Sequence, residues 1–105
     1  LEVATRPDCI NEVIVNLLKS YKDNYYVCVE LGLQTSNDET GNLINRGYSS
    51  FQFTGAVKLL NNAGIDVVAH IMIGLPGENF DDLKNTVDFI KKHNIHFYFN
   101  KLQQR

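Results

Sequence analysis

Apolar residues in this chain fall into two rhythms, one of period two and one of period three to four, and the rhythms alternate. Residues 1–5 read as the end of a strand, broken by Arg6-Pro7-Asp8, because proline removes a backbone donor and favours a turn. Ile10, Val13, Ile14, Leu17 and Leu18 then mark one face of a helix, with Asp8 or Asn11 available as its cap. After Lys22-Asp23-Asn24, residues 25–33 are rich in aromatic and β-branched side chains and predict a strand. Ser36 followed three residues later by Glu39 has the spacing of a capping box and predicts a short helix. That helix should end near Asn45-Arg46-Gly47, with Gly47 in the left-handed position. Ser49 or Ser50 opens another helix carrying Phe53, Val57, Leu59 and Leu60, closed by Asn62-Ala63-Gly64. Residues 65–73 form the third strand. Asn79 opens a helix with Phe80, Leu83, Val87 and Ile90 on one face, His93-Asn94 ends it, and residues 95–99 are the last strand. The order β-α-β-α-α-β-α-β implies right-handed crossovers and a parallel α/β sheet.

Alternation along each strand sorts its side chains onto two faces. Val27, Val29, Leu31 and Leu33 share one, against Tyr26, Cys28, Glu30, Gly32 and Gln34; Val67, Ala69, Ile71 and Ile73 share another, against Val68, His70, Met72 and Gly74. In the last strand Ile95, Phe97 and Phe99 oppose His96, Tyr98 and Asn100. The aliphatic faces should take the helices and the mixed faces should line a concave side. Glu30, His70 and Gln34 are costly to bury unless something meets them. Either a ligand or wet lumen does so, or Glu30 pairs within the arc with Arg46 or with His70.

Composition narrows the picture. The chain has 105 residues, 44% hydrophobic and 21% charged, which suits one small globular domain or a part of a larger one. Net charge is −2 with acids and bases interspersed, so neither a nucleic-acid stripe nor a basic membrane-surface helix is evident. Apolar runs fall far short of a membrane span, and no signal-peptide pattern opens the chain. Cys9 and Cys28 lack metal-like spacing, which points to free thiols in a reducing, cytoplasmic setting. The opening Leu1-Glu2-Val3-Ala4 has the character of a strand already under way, so a single piece spanning residues 1–105 of a longer protein is expected. Eight β/α units close a barrel, and about half that number make an open arc with two bare edges prone to self-association.

The candidate chemistry gathers where strands stop. Gly74-Leu75-Pro76-Gly77-Glu78 ends the third strand abruptly, with glycines free to take positive φ or to let backbone approach a ligand. Asn79 then opens a helix whose N-terminal N–H groups favour negative charge. Glu30-Leu31-Gly32-Leu33-Gln34-Thr35 ends the second strand in the same way.

Four motifs stand in order: Ala4-Thr5-Arg6-Pro7-Asp8, Glu30 through Thr35, Ile44-Asn45-Arg46-Gly47, and His70-Ile71-Met72-Ile73-Gly74-Leu75-Pro76-Gly77-Glu78. Together they resemble the radical S-adenosylmethionine superfamily, in particular its elongator-like branch and a bacterial group described as Fe–S oxidoreductases. The resemblance implies an arc of a partial (β/α)6 barrel of TIM type, with this chain as the C-terminal part of the core domain and holding its third to sixth strands. It implies S-adenosylmethionine and a [4Fe–4S] cluster in the parent protein, with neither retained by this chain. The family's Cys-x-x-x-Cys-x-x-Cys loop has no counterpart here, and Cys9 and Cys28 cannot supply three thiolate ligands. In the parent, an electron from the cluster would cleave the cofactor to a radical that abstracts hydrogen from substrate, with the protein aiming the reaction and excluding water.

Residue by residue, the resemblance implies that Gln34 contacts the cofactor and that Arg46 pairs with its carboxylate. It puts His70 where relatives often place an aspartate near the ribose, and Met72 and Gly74 on the strand flanking the adenine. Relatives often carry glutamate where this chain has Ala4, and His96 through Lys101 fits the expected sixth strand poorly. An RNA substrate is implied by resemblance alone. The alternatives are a (β/α)-barrel enzyme that binds phosphate at the Gly74–Asn79 loop and a non-catalytic interaction module.

Overall fold

A computed structural model describes residues 1–101. β1 (Glu2–Thr5) leads through a 3-10 turn at Pro7–Cys9 into α1 (Glu12–Lys22), and then come β2 (Cys28–Gln34), α2 (Asp38–Leu43), α3 (Ser50–Asn62), β3 (Asp66–Ile73), α4 (Phe80–Lys92) and β4 (His96–Lys101). The strands form one sheet in the order β1-β2-β3-β4, and every pairing is parallel. Each strand lies beside the next in sequence, joined by a helical crossover, so the predicted α/β arc of parallel units is what the chain adopts.

The aliphatic faces carry the core. Val29, Leu31, Ala69 and Ile71 are fully buried, and Val27, Leu33 and Val67 join them beneath Val15 and Leu18 of α1, Phe53, Ala56, Val57 and Leu60 of α3, and Ile90 of α4. Each valine, leucine, isoleucine or phenylalanine among them contributes about 1.5–3 kcal/mol by leaving water, which is what holds helices this short in place. The opposite face keeps Glu30, His70 and Met72 half-buried, as the alternation requires.

Caps fix where the helices begin. Asn11 accepts from the Ile14 N–H at 3.0 Å, Ser49 forms a capping box with Gln52, and Asn79 forms one with Asp82. At α2 the cap is Asn37 rather than Ser36: Asn37 Oδ1 accepts from Glu39 and Thr40, while the Ser36 N–H is spent on Thr86 Oγ1. The left-handed turn after α2 falls first on Asn45 (φ 55), and Gly47 (φ 87) follows it.

α1 also differs from expectation. Its buried side chains are Val15 and Leu18, whereas Val13 is 75% and Leu17 54% exposed. The apolar sector of this helix is wider than the surface it covers, and periodicity alone does not say which part faces inward. Phe80 (76%) and Leu59 (39%) are likewise exposed; Phe80 sits in the first residue of its helix, ahead of the turn that meets the sheet.

Candidate functional site

The C-terminal ends of β2 and β3 build the site. Toward its end β2 bulges: Gly32 pairs with His70, yet Gln34 pairs with Ile71, so the register shifts around Leu33. The chain then closes a three-residue turn, with the Thr35 N–H donating to Leu33 O at 2.8 Å across a Gln34 held at φ 65. A left-handed φ at a residue with a Cβ costs about 1–2 kcal/mol, and turns of this hand are rare.

Side chains from the α2–α3 connection hold that turn in place. Arg46 Nη1 donates to Leu33 O (2.8 Å) and Thr35 O (2.6 Å), its Nε to Tyr48 O (2.7 Å), and its Nη2 to Asp38 Oδ1 (2.7 Å). The guanidinium is 1% exposed and lies so close to α2 that a Cβ on Gly41 would come within 2.6 Å of it. The Tyr48 hydroxyl donates to Gly32 O at 2.5 Å, and its ring meets the guanidinium carbons of Arg46 at 5.2 Å and of Arg6 at 5.4 Å. Burial pushes the Tyr48 phenol up, against the opposing pull of the Arg46 and Arg6 charges.

The second loop turns on glycine. Gly74 and Gly77 take φ 88 and 78, and the Glu78 N–H returns to Leu75 O at 3.1 Å. A buried polar link ties the loops together: the Thr35 hydroxyl donates to Glu78 Oε2 at 2.6 Å, and Thr86 of α4 lies 3.4 Å from Thr35 and accepts from the Ser36 N–H at 3.0 Å.

Between the loops opens a cavity of about 540 Å³ lined by Arg6, Gln34, Ile44, Arg46, Tyr48, Met72, Leu75 and Pro76. It is mostly apolar with a few convergent polar groups, the usual make-up of a small-molecule site. Of the residues singled out in the sequence, Gln34, Arg46 and Met72 meet there. Gly74 instead borders a smaller hollow of about 260 Å³ with Met72, Glu78, Asn79 and Leu83. His70 is on the same concave face, opposite Gly32 in register and stacked on Tyr98 at 5.0 Å. Two buried polar atoms among the described residues have no partner, Gln34 Oε1 and His70 Nε2, and both belong to this face.

Neither pairing considered for Glu30 forms. Glu30 Oε1 accepts from the Tyr98 hydroxyl, while Arg46 is compensated by Asp38. The bond to Glu30 pushes the Tyr98 phenol up to about 12. The phosphate reading meets an obstacle at α4: Asn79 and Asp82 cap its N-terminus reciprocally, with Glu78 and Asp81 beside them, and these acids oppose an anion.

Sequence reasoning gives no role to Tyr48, Arg6, Thr35 or Thr86. Arg6 and Thr35 lie inside the motifs, but nothing in their spacing shows that one reaches Arg46 O (3.1 Å) and the other Glu78. Cys9 is exposed and Cys28 buried, and no cluster of metal-ligating side chains occurs among the described residues. No described helix is long and apolar enough to cross a membrane.

Parallel β/α units in arc order, with a ligand-sized cavity at their C-terminal rim, define an arc of a partial barrel. Residues 1–90 match the Radical SAM superfamily, and the chain belongs to that superfamily. Protein YhcC of Escherichia coli K12 is 40% identical over 103 residues, covering 90% of this chain and 33% of its own length. The chain thus spans about a third of the relative it matches. Among solved structures, Elp3 of Methanocaldococcus infernus superposes with TM-score 0.84 at 27% identity, over 97% of this chain and 24% of that one. Coproporphyrinogen III oxidase (HemN) of Escherichia coli, a radical SAM enzyme, also gives 0.84, at 15% identity, over 99% of this chain and 24% of its own; that likeness concerns the fold.

Proposed function

We propose that this chain supplies part of the S-adenosylmethionine-binding wall of a radical SAM enzyme, as the C-terminal part of its core domain. One observation carries the reading: the Gln34 amide oxygen and the His70 ring nitrogen are buried without partners on the face that holds the cavity. A buried polar atom left unpaired costs about 1–3 kcal/mol, so a ligand that meets both recovers that cost. A nucleoside fits the requirement, since its ribose and base edge offer both donors and acceptors, and Met72, Leu75, Ile44 and Pro76 offer apolar surface to its plane.

When bound, S-adenosylmethionine and a [4Fe–4S] cluster supply the one-electron chemistry of the superfamily. The residues of this chain bind and orient. Gln34 presents its amide to the nucleoside, His70 offers a single hydrogen bond from below, and the apolar wall excludes water. Arg46 lines the same cavity but commits Nε, both Nη1 hydrogens and one Nη2 hydrogen to bonds within the protein. The two cysteines of the chain do not make up a cluster motif, so the cluster is assigned to other parts of the parent protein and activity to the whole.

Gln34→Ala in the intact protein removes a neutral hydrogen bond and should weaken S-adenosylmethionine binding about fivefold, as calorimetry would read it. Unchanged affinity would reject the assignment of this cavity to the cofactor.

A further inference from the structure

The β2 bulge contains an unusual division of labour. Gln34 is the cavity residue whose amide oxygen is free, and its backbone is left-handed at φ 65. The carbonyls on either side of it, Leu33 O and Thr35 O, are both taken by one nitrogen, Arg46 Nη1. Just before them, Gly32 O is taken by Tyr48. Three backbone acceptors around a strained residue are thus fixed by two side chains from a single connection. The guanidinium cannot drift, because Asp38 holds Nη2, Tyr48 O holds Nε, and α2 presses on it at Gly41.

Strain of this kind persists only where the surroundings over-determine it. Here the surroundings are Arg46. The direction of the Gln34 side chain follows from its backbone, and at an ordinary extended φ the same side chain would leave from a differently oriented Cα. Gly32 keeps space for it: a Cβ there would stand 3.0 Å from Gln34 Nε2.

We infer that Arg46 is a positioning residue, which acts on the ligand chiefly by clamping the backbone on both sides of Gln34, so that the Gln34 amide is aimed into the cavity before any ligand arrives. The inference rests on the cavity being the cofactor site, and it adds which residue preorganises it. Its benefit is the ordinary one of preorganisation: the ordering cost is met by the folded protein and not by the ligand.

The test uses two nucleosides that differ in the part Arg46 would touch directly. S-adenosylhomocysteine carries a carboxylate; 5′-methylthioadenosine does not. In the intact protein, Arg46→Lys should weaken both by the same factor, up to about fivefold, and should add nothing further in a Gln34→Ala background. Asp38→Asn, which loosens the guanidinium without removing it, should show the same equal loss on a smaller scale and serves if Arg46→Lys folds poorly. A loss confined to S-adenosylhomocysteine would overturn the inference, since Arg46 would then be a direct carboxylate ligand. Failure of the unsubstituted protein to bind either nucleoside would instead remove the cofactor reading. Thermal unfolding judges the clamp independently of any ligand. Arg46→Lys should lower the midpoint less in a Gln34→Gly background, where glycine takes the left-handed turn unaided; an equal drop in both backgrounds would refute the clamp.

Discussion

Two loops meet at the C-terminal rim and face the same backbone problem with different chemistry. After β3 the chain reverses through Gly74 and Gly77, whose positive φ carries no Cβ penalty, and Pro76 between them stiffens the turn. After β2 the reversal falls on Gln34, a residue that resists it, and the geometry is imposed from outside by Arg46 and Tyr48. The first loop is local and self-contained. The second borrows its shape from the α2–α3 connection, and in return places a side-chain amide at the cavity where glycine could place none.

The largest effect expected from breaking this contrast is at Arg46. Arg46→Ala deletes charge-assisted bonds to Leu33 O, Thr35 O, Tyr48 O and Asp38, in a setting that is almost fully buried. Chemical denaturation should show a loss of about 3 kcal/mol. A loss below about 0.5 kcal/mol, the ordinary scale of a surface substitution, would mean that the guanidinium holds nothing.

A matched pair of substitutions sets the two turns against each other. Gly77 has φ 78, and an alanine methyl there would meet nothing within 4 Å, so Gly77→Ala isolates the backbone penalty and should cost about 1 kcal/mol. Gln34→Gly relieves the same penalty at the other loop and should make the ligand-free protein about 1 kcal/mol more stable, net of the entropy glycine brings. Opposite signs in urea titrations support the account; the same sign at both positions would show that Gln34 is not strained.

What can be read from the sequence divides along the same line. Gly74-Leu75-Pro76-Gly77 announces its own turn, because its determinants sit within the segment that turns. Alternation in Val27 through Gln34 and in Val67 through Gly74 sorts the sheet faces correctly, since burial depends on a period the chain cannot escape. The β2 bulge is not legible. Its causes are bonds from Arg46 and Tyr48, and nothing local to Leu33-Gln34-Thr35 signals them. The same holds for the cap of α2. Ser36 has the right spacing to Glu39, but Thr86, fifty residues on, claims its N–H, and Asn37 caps instead. The inward face of α1 departs from the periodic reading because five apolar residues offer two faces, and packing against α3 chooses the one with Val15 and Leu18.

The smallest effect is spectroscopic and lies below the rim. The Tyr98 phenol is raised to about 12, chiefly by its hydrogen bond to Glu30. A raised value means that the folded state favours the protonated phenol. The contribution is therefore complete below about pH 10, the ordinary phenol value, and is lost as pH climbs through 12. Tyr26 behaves alike through its bond to Asp66 at 2.7 Å, with a value also about 12. Phenolate absorbance should show a late step near pH 12 that shrinks in Tyr98→Phe and again in Tyr26→Phe; a late step unchanged by either substitution would contradict the assignment.

The proposed site turns on one ligand meeting both Gln34 Oε1 and His70 Nε2, which are buried and unpaired on the same face. A crystal structure of the intact protein with S-adenosylmethionine tests it most directly. Both atoms are expected within hydrogen-bonding distance of the nucleoside, with Gln34 still left-handed and its flanking carbonyls still on Arg46. A cofactor bound elsewhere, with Gln34 Oε1 and His70 Nε2 both unpaired, would contradict it.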